Sequence, residues 1–184
     1  MKFSKDHSGF SLIELIIVVA ILAVMTGGIA NFISYQMLGN TKTCANKLNA
    51  AIGSVRTNTM TKEYVPNAVD STKEGIPYLY IYKTAQGIFT YETDEAYSGG
   101  YPNPSTIEGN RIASSNVEVI AYTPGGTQVK LDAGGIIKIG FKKSTGAFTD
   151  RVGVDFYDRI TVNRSSFQYT INMVKETGRY FVTH

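Results

Sequence analysis

The chain has 184 residues, 43% of them hydrophobic, and a formal net charge of +3. That length suits one membrane helix with one small domain better than two domains, and the charge is too mild to argue for a nucleic-acid partner by itself. Cys44 is the single cysteine, so no intrachain disulfide forms. The expected role of that thiol is a small apolar residue on a helix face.

Lys2 and Lys5 precede an apolar run that carries no charge from Leu15 to Met37. A helix needs roughly 20 such residues to cross a bilayer, and the two lysines hold its N-terminal end in the cytoplasm. The membrane part is therefore expected over residues 10–37, with the later domain exported. Glu14 sits near the cytoplasmic end of the run. An ionisable group held at mid-bilayer costs on the order of 2.5–3.5 kcal/mol, so it calls for a partner. Cleavage after Gly9 would free the amine of Phe10, and that amine on one subunit would pair with Glu14 of a neighbour packed one helical step away.

The stretch Ser8-Gly9-Phe10-Ser11-Leu12-Ile13-Glu14-Leu15, running into that apolar helix, resembles the type IV pilin family, including the pseudopilins of type II secretion. Gly9 and Phe10 match the family's Gly-Phe junction, and Glu14 matches its glutamate at the fifth mature position. The resemblance implies a leader over residues 1–9, removed by a membrane aspartyl peptidase that then methylates the Phe10 amine. It assigns Glu14 to filament assembly. A plain single-pass anchor has no use for this spacing, and a secretory signal would carry small residues after the apolar run rather than before it. Loss of Lys2, Lys5 and Asp6 with the leader leaves a net charge of +2 out of +3. Many Gram-negative major pilins close a C-terminal loop with a disulfide, which one cysteine does not allow; pseudopilins, some minor pilins and the pilins of Gram-positive bacteria remain.

The helix is expected to continue past the membrane, over residues 10–62 in all, roughly 80 Å at 1.5 Å per residue. After Met37 the pattern becomes amphipathic, with Cys44, Leu48, Ala51, Ile52, Val55 and Thr59 at steps of three or four. Gly27 and Gly28 interrupt the apolar half. Each costs about 1 kcal/mol of helix propensity against Ala, so a kink or local melting is one reading, and close helix packing is the other. In the family, unwinding on assembly often lies near a proline at the position that Asn31 holds here.

Residues 63–184 read as a β-rich domain. A connector runs from Tyr64 to Pro77, and then the pattern alternates. Tyr78–Tyr82 and Ile88–Glu92 form an expected hairpin around Gln86-Gly87, followed by a surface loop from Asp94 to Gly109. Val117–Tyr122 and Thr127–Leu131 flank Pro124-Gly125-Gly126 as a second hairpin. Further strands are Ile136–Phe141, Arg159–Val162, Phe167–Val174 and Arg179–Val182, the last two joined at Thr177-Gly178. The fold class is α+β: a long N-terminal helix packed on a small antiparallel sheet or sandwich. Ile139-Gly140-Phe141, Gly146, Tyr169-Thr170-Ile171 and Thr177-Gly178-Arg179 also resemble, in short and degenerate matches, the minor pilins and minor pseudopilins.

The search for chemistry yields little. His7 lies in the leader and His184 is the last residue, so neither supports a catalytic arrangement with Cys44 or a serine. No phosphate loop or metal-spaced Cys/His set is present. Asp150, Asp155 and Asp158 invite a calcium reading, yet Arg151 and Arg159 interleave them and solvated surface is expected instead. The twelve tyrosines suit strand packing before electron transfer or sugar binding. No catalysis, metal or cofactor is expected. The function expected is a structural pilus subunit at the cell surface. Its partners would be other pilins, the peptidase, an assembly platform and, before assembly, the lipid bilayer. The alternatives are a periplasmic pseudopilin of a secretion or DNA-uptake apparatus, a minor pilin, and a tethered binding domain that never polymerises.

Overall fold

The computed structural model describes residues 11–61, 65–66, 74–75, 77–94, 109–132, 135–149 and 156–184. One helix, α1, spans Leu12–Thr61. By its internal contacts the chain divides into two units, Met1–Gln36 and Met37–His184. In the first unit, α1 passes through Gly27 and Gly28 without interruption. An 18-residue window of α1 reaches a mean hydropathy of 2.6 with none of it buried. A helix that is apolar all round needs lipid or other helices as its environment.

The second unit contains all the described β-structure. Its strands are β1 (Val65–Pro66), β2 (Glu74–Gly75), β3 (Pro77–Thr84), β4 (Gly87–Asp94), β5 (Asn110–Ala113), β6 (Glu118–Tyr122), β7 (Gln128–Lys130), β8 (Ile136–Gly140), β9 (Arg159–Arg164), β10 (Phe167–Val174) and β11 (Arg179–Thr183). They form a five-stranded sheet in the order β11-β10-β9-β6-β7, a four-stranded sheet in the order β5-β4-β3-β8, and the small ladder β1-β2. Every pairing is antiparallel. The expected connector over residues 64–77 thus contains a two-residue ladder, Val65↔Gly75 and Pro66↔Glu74. The expected loop at Asp94–Gly109 lies, apart from its two ends, outside the described residues.

Each expected hairpin forms where its turn residues stand. β3 and β4 meet at Thr84↔Gly87, and β6 and β7 close at Tyr122↔Gln128. Between the hairpins the pairing is long-range: β8 joins β3 with Ile81↔Ile137, and β9 joins β6 with Ala121↔Ile160. β8 ends at Gly140, and Phe141 bridges Phe148 instead of extending the strand. Gly140 faces Tyr78 in the register, and the Tyr78 ring occupies the space a Cβ at residue 140 would need.

One hydrophobic cluster unites α1 with both sheets. Cys44, Leu48, Ile52 and Val55 of α1 meet Leu79, Ile81, Ile88 and Ile137 of the four-stranded sheet and Val119, Ile160, Val162 and Ile171 of the five-stranded sheet. The stripe read from the sequence is this buried face, including Thr59, whose hydroxyl donates to the Val55 carbonyl at 2.7 Å. β3 is buried on both faces. Leu79 and Ile81 join the shared cluster while Tyr78, Tyr80 and Tyr82 alternate onto the other side. These tyrosines pack, as their strand positions predict.

Burial pushes the Cys44 thiol up from 9.0 to about 12. The unfolded chain ionises first, so this stabilisation is complete below pH 9 and fades as the pH climbs toward 12. Iodoacetamide at pH 8 is expected to leave Cys44 unmodified in the folded chain and to alkylate it fully in denaturant, read by mass.

Arg56 ties two turns to the helix. Its Nε donates to the Gly146 carbonyl at 3.2 Å and its Nη2 to the Thr177 carbonyl at 3.2 Å. Gly146 and Gly178 both take positive φ, 65° and 63°, and the Gly146 carbonyl leaves no room for a Cβ at residue 178. Arg56→Ala removes two charged hydrogen bonds, each worth about 1.5–3 kcal/mol at most. We expect a loss of about 2 kcal/mol in denaturant unfolding, with Arg56→Lys recovering less than half because an ammonium lacks the planar fork.

Candidate functional site

The segment expected to take part in assembly begins at the helix N-terminus. Ser11 precedes α1, and its Oγ accepts from the Glu14 amide at 3.3 Å. In return the Ser11 amide donates to Glu14 Oε2 at 3.3 Å. This reciprocal arrangement is a capping box, which satisfies two amides that a helix start leaves without partners. The first helical bond follows, from the Leu15 amide to the Ser11 carbonyl at 3.2 Å. Glu14 therefore has a second task beside the one expected of it. It closes the first turn, where a carboxylate also favours the positive end of the helix dipole. The pattern Ser11-x-x-Glu14 is the sequence signal for this box, and it overlaps the spacing of Glu14 from Phe10 that points to assembly.

Gly9 and Phe10, the expected cleavage and methylation positions, lie outside the described residues. α1 begins at Leu12, two residues after Phe10. Around and beyond Glu14 the apolar side chains are exposed, among them Leu12, Ile13, Leu15, Ile16, Val19, Leu22 and Val24. Two polar side chains in this stretch are satisfied by the helix itself. Thr26 Oγ1 donates to the carbonyls of Leu22 and Ala23 at 2.9 and 3.0 Å, and Asn31 Nδ2 donates to the Gly27 carbonyl at 3.1 Å. Such back-bonding lets polar groups sit where water is absent. Gly27 and Gly28 are helical, with nothing within 4 Å of the space their Cβ atoms would fill.

Among the described residues no group of three or more His, Cys, Asp or Glu side chains converges on a possible metal position. Asp158 is described, and its amide donates to the Tyr122 carbonyl at 2.9 Å; Asp150 and Asp155 lie outside the described residues. His184 is exposed, with its ring 5.8 Å from that of Tyr169. Lys130 pairs with Glu118 and holds its carboxyl below the usual range, a surface ion pair between adjacent strands. What the chain presents is an uncovered apolar helix with one carboxylate in its first turn, joined in sequence to a well-packed β domain.

The prokaryotic N-terminal methylation motif matches residues 4–30 of the chain. That motif marks structural proteins of the type IV pilin and pseudopilin kind rather than enzymes, and the match supports a prepilin-like, membrane-anchored precursor. No curated protein and no solved structure matches the chain.

Proposed function

We propose, from a chain that carries the N-terminal methylation motif, that this protein is a structural subunit of a type IV pilus. The leader is cut after Gly9, the Phe10 amine is methylated, and an assembly platform lifts the mature chain from the bilayer. The apolar helices then pack into a filament core that replaces lipid, and the β domain faces outward at the cell surface. Glu14 pairs with the Phe10 amine of a neighbour, which penalises entry out of register because an unpaired charge in a dry core is costly. The observation that carries this reading is the coincidence of the motif over residues 4–30 with an unburied apolar helix bearing Glu14 in its first turn.

A second reading, a short periplasmic pseudopilus of a secretion or DNA-uptake apparatus or a minor pilin, is favoured by one feature: the lone Cys44 excludes the C-terminal disulfide of many Gram-negative major pilins. Immunogold labelling of intact cells against the β domain tests the choice. Long labelled surface filaments that vanish with the peptidase gene support the pilus. Label confined to the envelope, with the chain still processed, supports the pseudopilus or a minor subunit. Unprocessed chain without filaments leaves a tethered binding domain.

A further inference from the structure

A groove runs between α1 and β5, the edge strand of the four-stranded sheet. The helix contributes Thr43, Lys47, Ala50 and Ser54 at steps of three or four, and the opposite wall is Asn110, Arg111 and Ser114. Ala51 and Ile112 add an apolar component to its lining. Its two overlapping parts have volumes of about 310 and about 470 Å³. Lys47 and Arg111 line both parts, and neither makes an ion pair among the described residues. Lys47 Nζ donates only to the Arg111 carbonyl, at 3.4 Å. Ser114 Oγ is buried with no hydrogen-bond partner. Among the described residues β5 pairs with β4 alone, and no described strand lies on its other side.

Among the described residues, two cations without an ion pair, a hydroxyl without a partner and an unpaired strand edge along one groove call for the same complement. A small anion would answer the cations and leave the edge unpaired, whereas an extended peptide adds main-chain hydrogen bonds along such an edge. We propose that this groove binds an extended, carboxylate-bearing segment of another subunit in the filament. Its carboxylates lie against Lys47 and Arg111, and its backbone runs along β5. That the segment comes from another subunit rests on the polymerisation proposed above; the acidic chemistry of the ligand rests on the groove alone. The interface forms outside the helical core and adds orientation and partner choice to a packing that apolar helices leave poorly directed.

The test uses the full chain in detergent with a fluorescent hexaglutamate peptide, followed by anisotropy. Binding is expected, weakening as salt rises and falling at least about tenfold in Lys47→Glu/Arg111→Glu, while the thermal unfolding of that variant matches the wild type. Hexalysine should not bind. No binding of hexaglutamate, or equal competition by inorganic phosphate at matched charge, overturns the peptide reading. For the second half, Ala50→Cys carries a photoactivatable maleimide in assembled material; buried Cys44 stays unlabelled. A subunit–subunit adduct is expected, and an adduct formed only within one chain overturns the claim about the partner. N-terminal mass of the same sample reports processing at Phe10 separately, so failure of the filament reading is told apart from failure of the groove.

Discussion

Glu14→Ala and Glu14→Gln are both expected to leave membrane insertion and leader removal intact and to reduce incorporation into filaments by at least about tenfold. The two substitutions separate the carboxylate's two tasks. Glutamine retains the capping box with Ser11, since its side-chain oxygen also accepts from an N-terminal amide. Alanine loses both the half of the box that Glu14 supplies, one hydrogen bond from the Ser11 amide worth about 0.5–1.5 kcal/mol, and the charge, while Ser11 Oγ still accepts from the amide of residue 14. If the charge pairs with the Phe10 amine of a neighbour, both variants leave that amine unpaired in an apolar core. Breaking a buried pair in this way costs about 3–5 kcal/mol, well above the cap. The expected order is therefore wild type far above Gln, with Gln near Ala. A Gln variant that assembles like wild type would show capping to be the only role of Glu14. Quantitative immunoblots of sheared and membrane fractions give the ratio.

The second large effect lies in the β domain. Leu48→Ala is expected to cost about 2–5 kcal/mol, the range for leucine truncation in a core that relaxes only partly. Leu48 is fully buried in the cluster that α1 shares with both sheets, so no single sheet closes over the void. For a domain near 150 residues each kcal/mol moves the melting temperature by roughly 2–4 °C, giving a fall of about 4–20 °C. Val24→Ala, on the uncovered part of α1, should leave the same transition in place. Near-ultraviolet circular dichroism on heating follows the tyrosines of β3 and reads both.

Much of this architecture is legible from local pattern. Charge-free length reveals the apolar half of α1, and steps of three and four reveal Cys44, Leu48, Ile52 and Val55 as its buried face. Hairpins β3–β4, β6–β7 and β10–β11 announce themselves through Gln86-Gly87, Pro124-Gly125-Gly126 and Thr177-Gly178. The partition into two sheets does not, because β8 with β3 and β9 with β6 are chosen by side-chain packing between distant segments. β5 is four residues long with an irregular register against β4, too short to alternate visibly. The groove beside it escapes for the same reason: Lys47 and Arg111 stand 64 residues apart. At the helix start the case is different. Ser11-x-x-Glu14 is a local pattern legible in the sequence, and the mutual bonding of the two residues shows that the Glu14 carboxylate serves the helix; its service in the filament is our proposal.

Intact mass and N-terminal chemistry of the chain in sheared cell-surface material test the central claim most directly. An abundant chain beginning at N-methylated Phe10 is the result expected of a surface pilin. A chain that still begins at Met1, or none in that fraction, would contradict it.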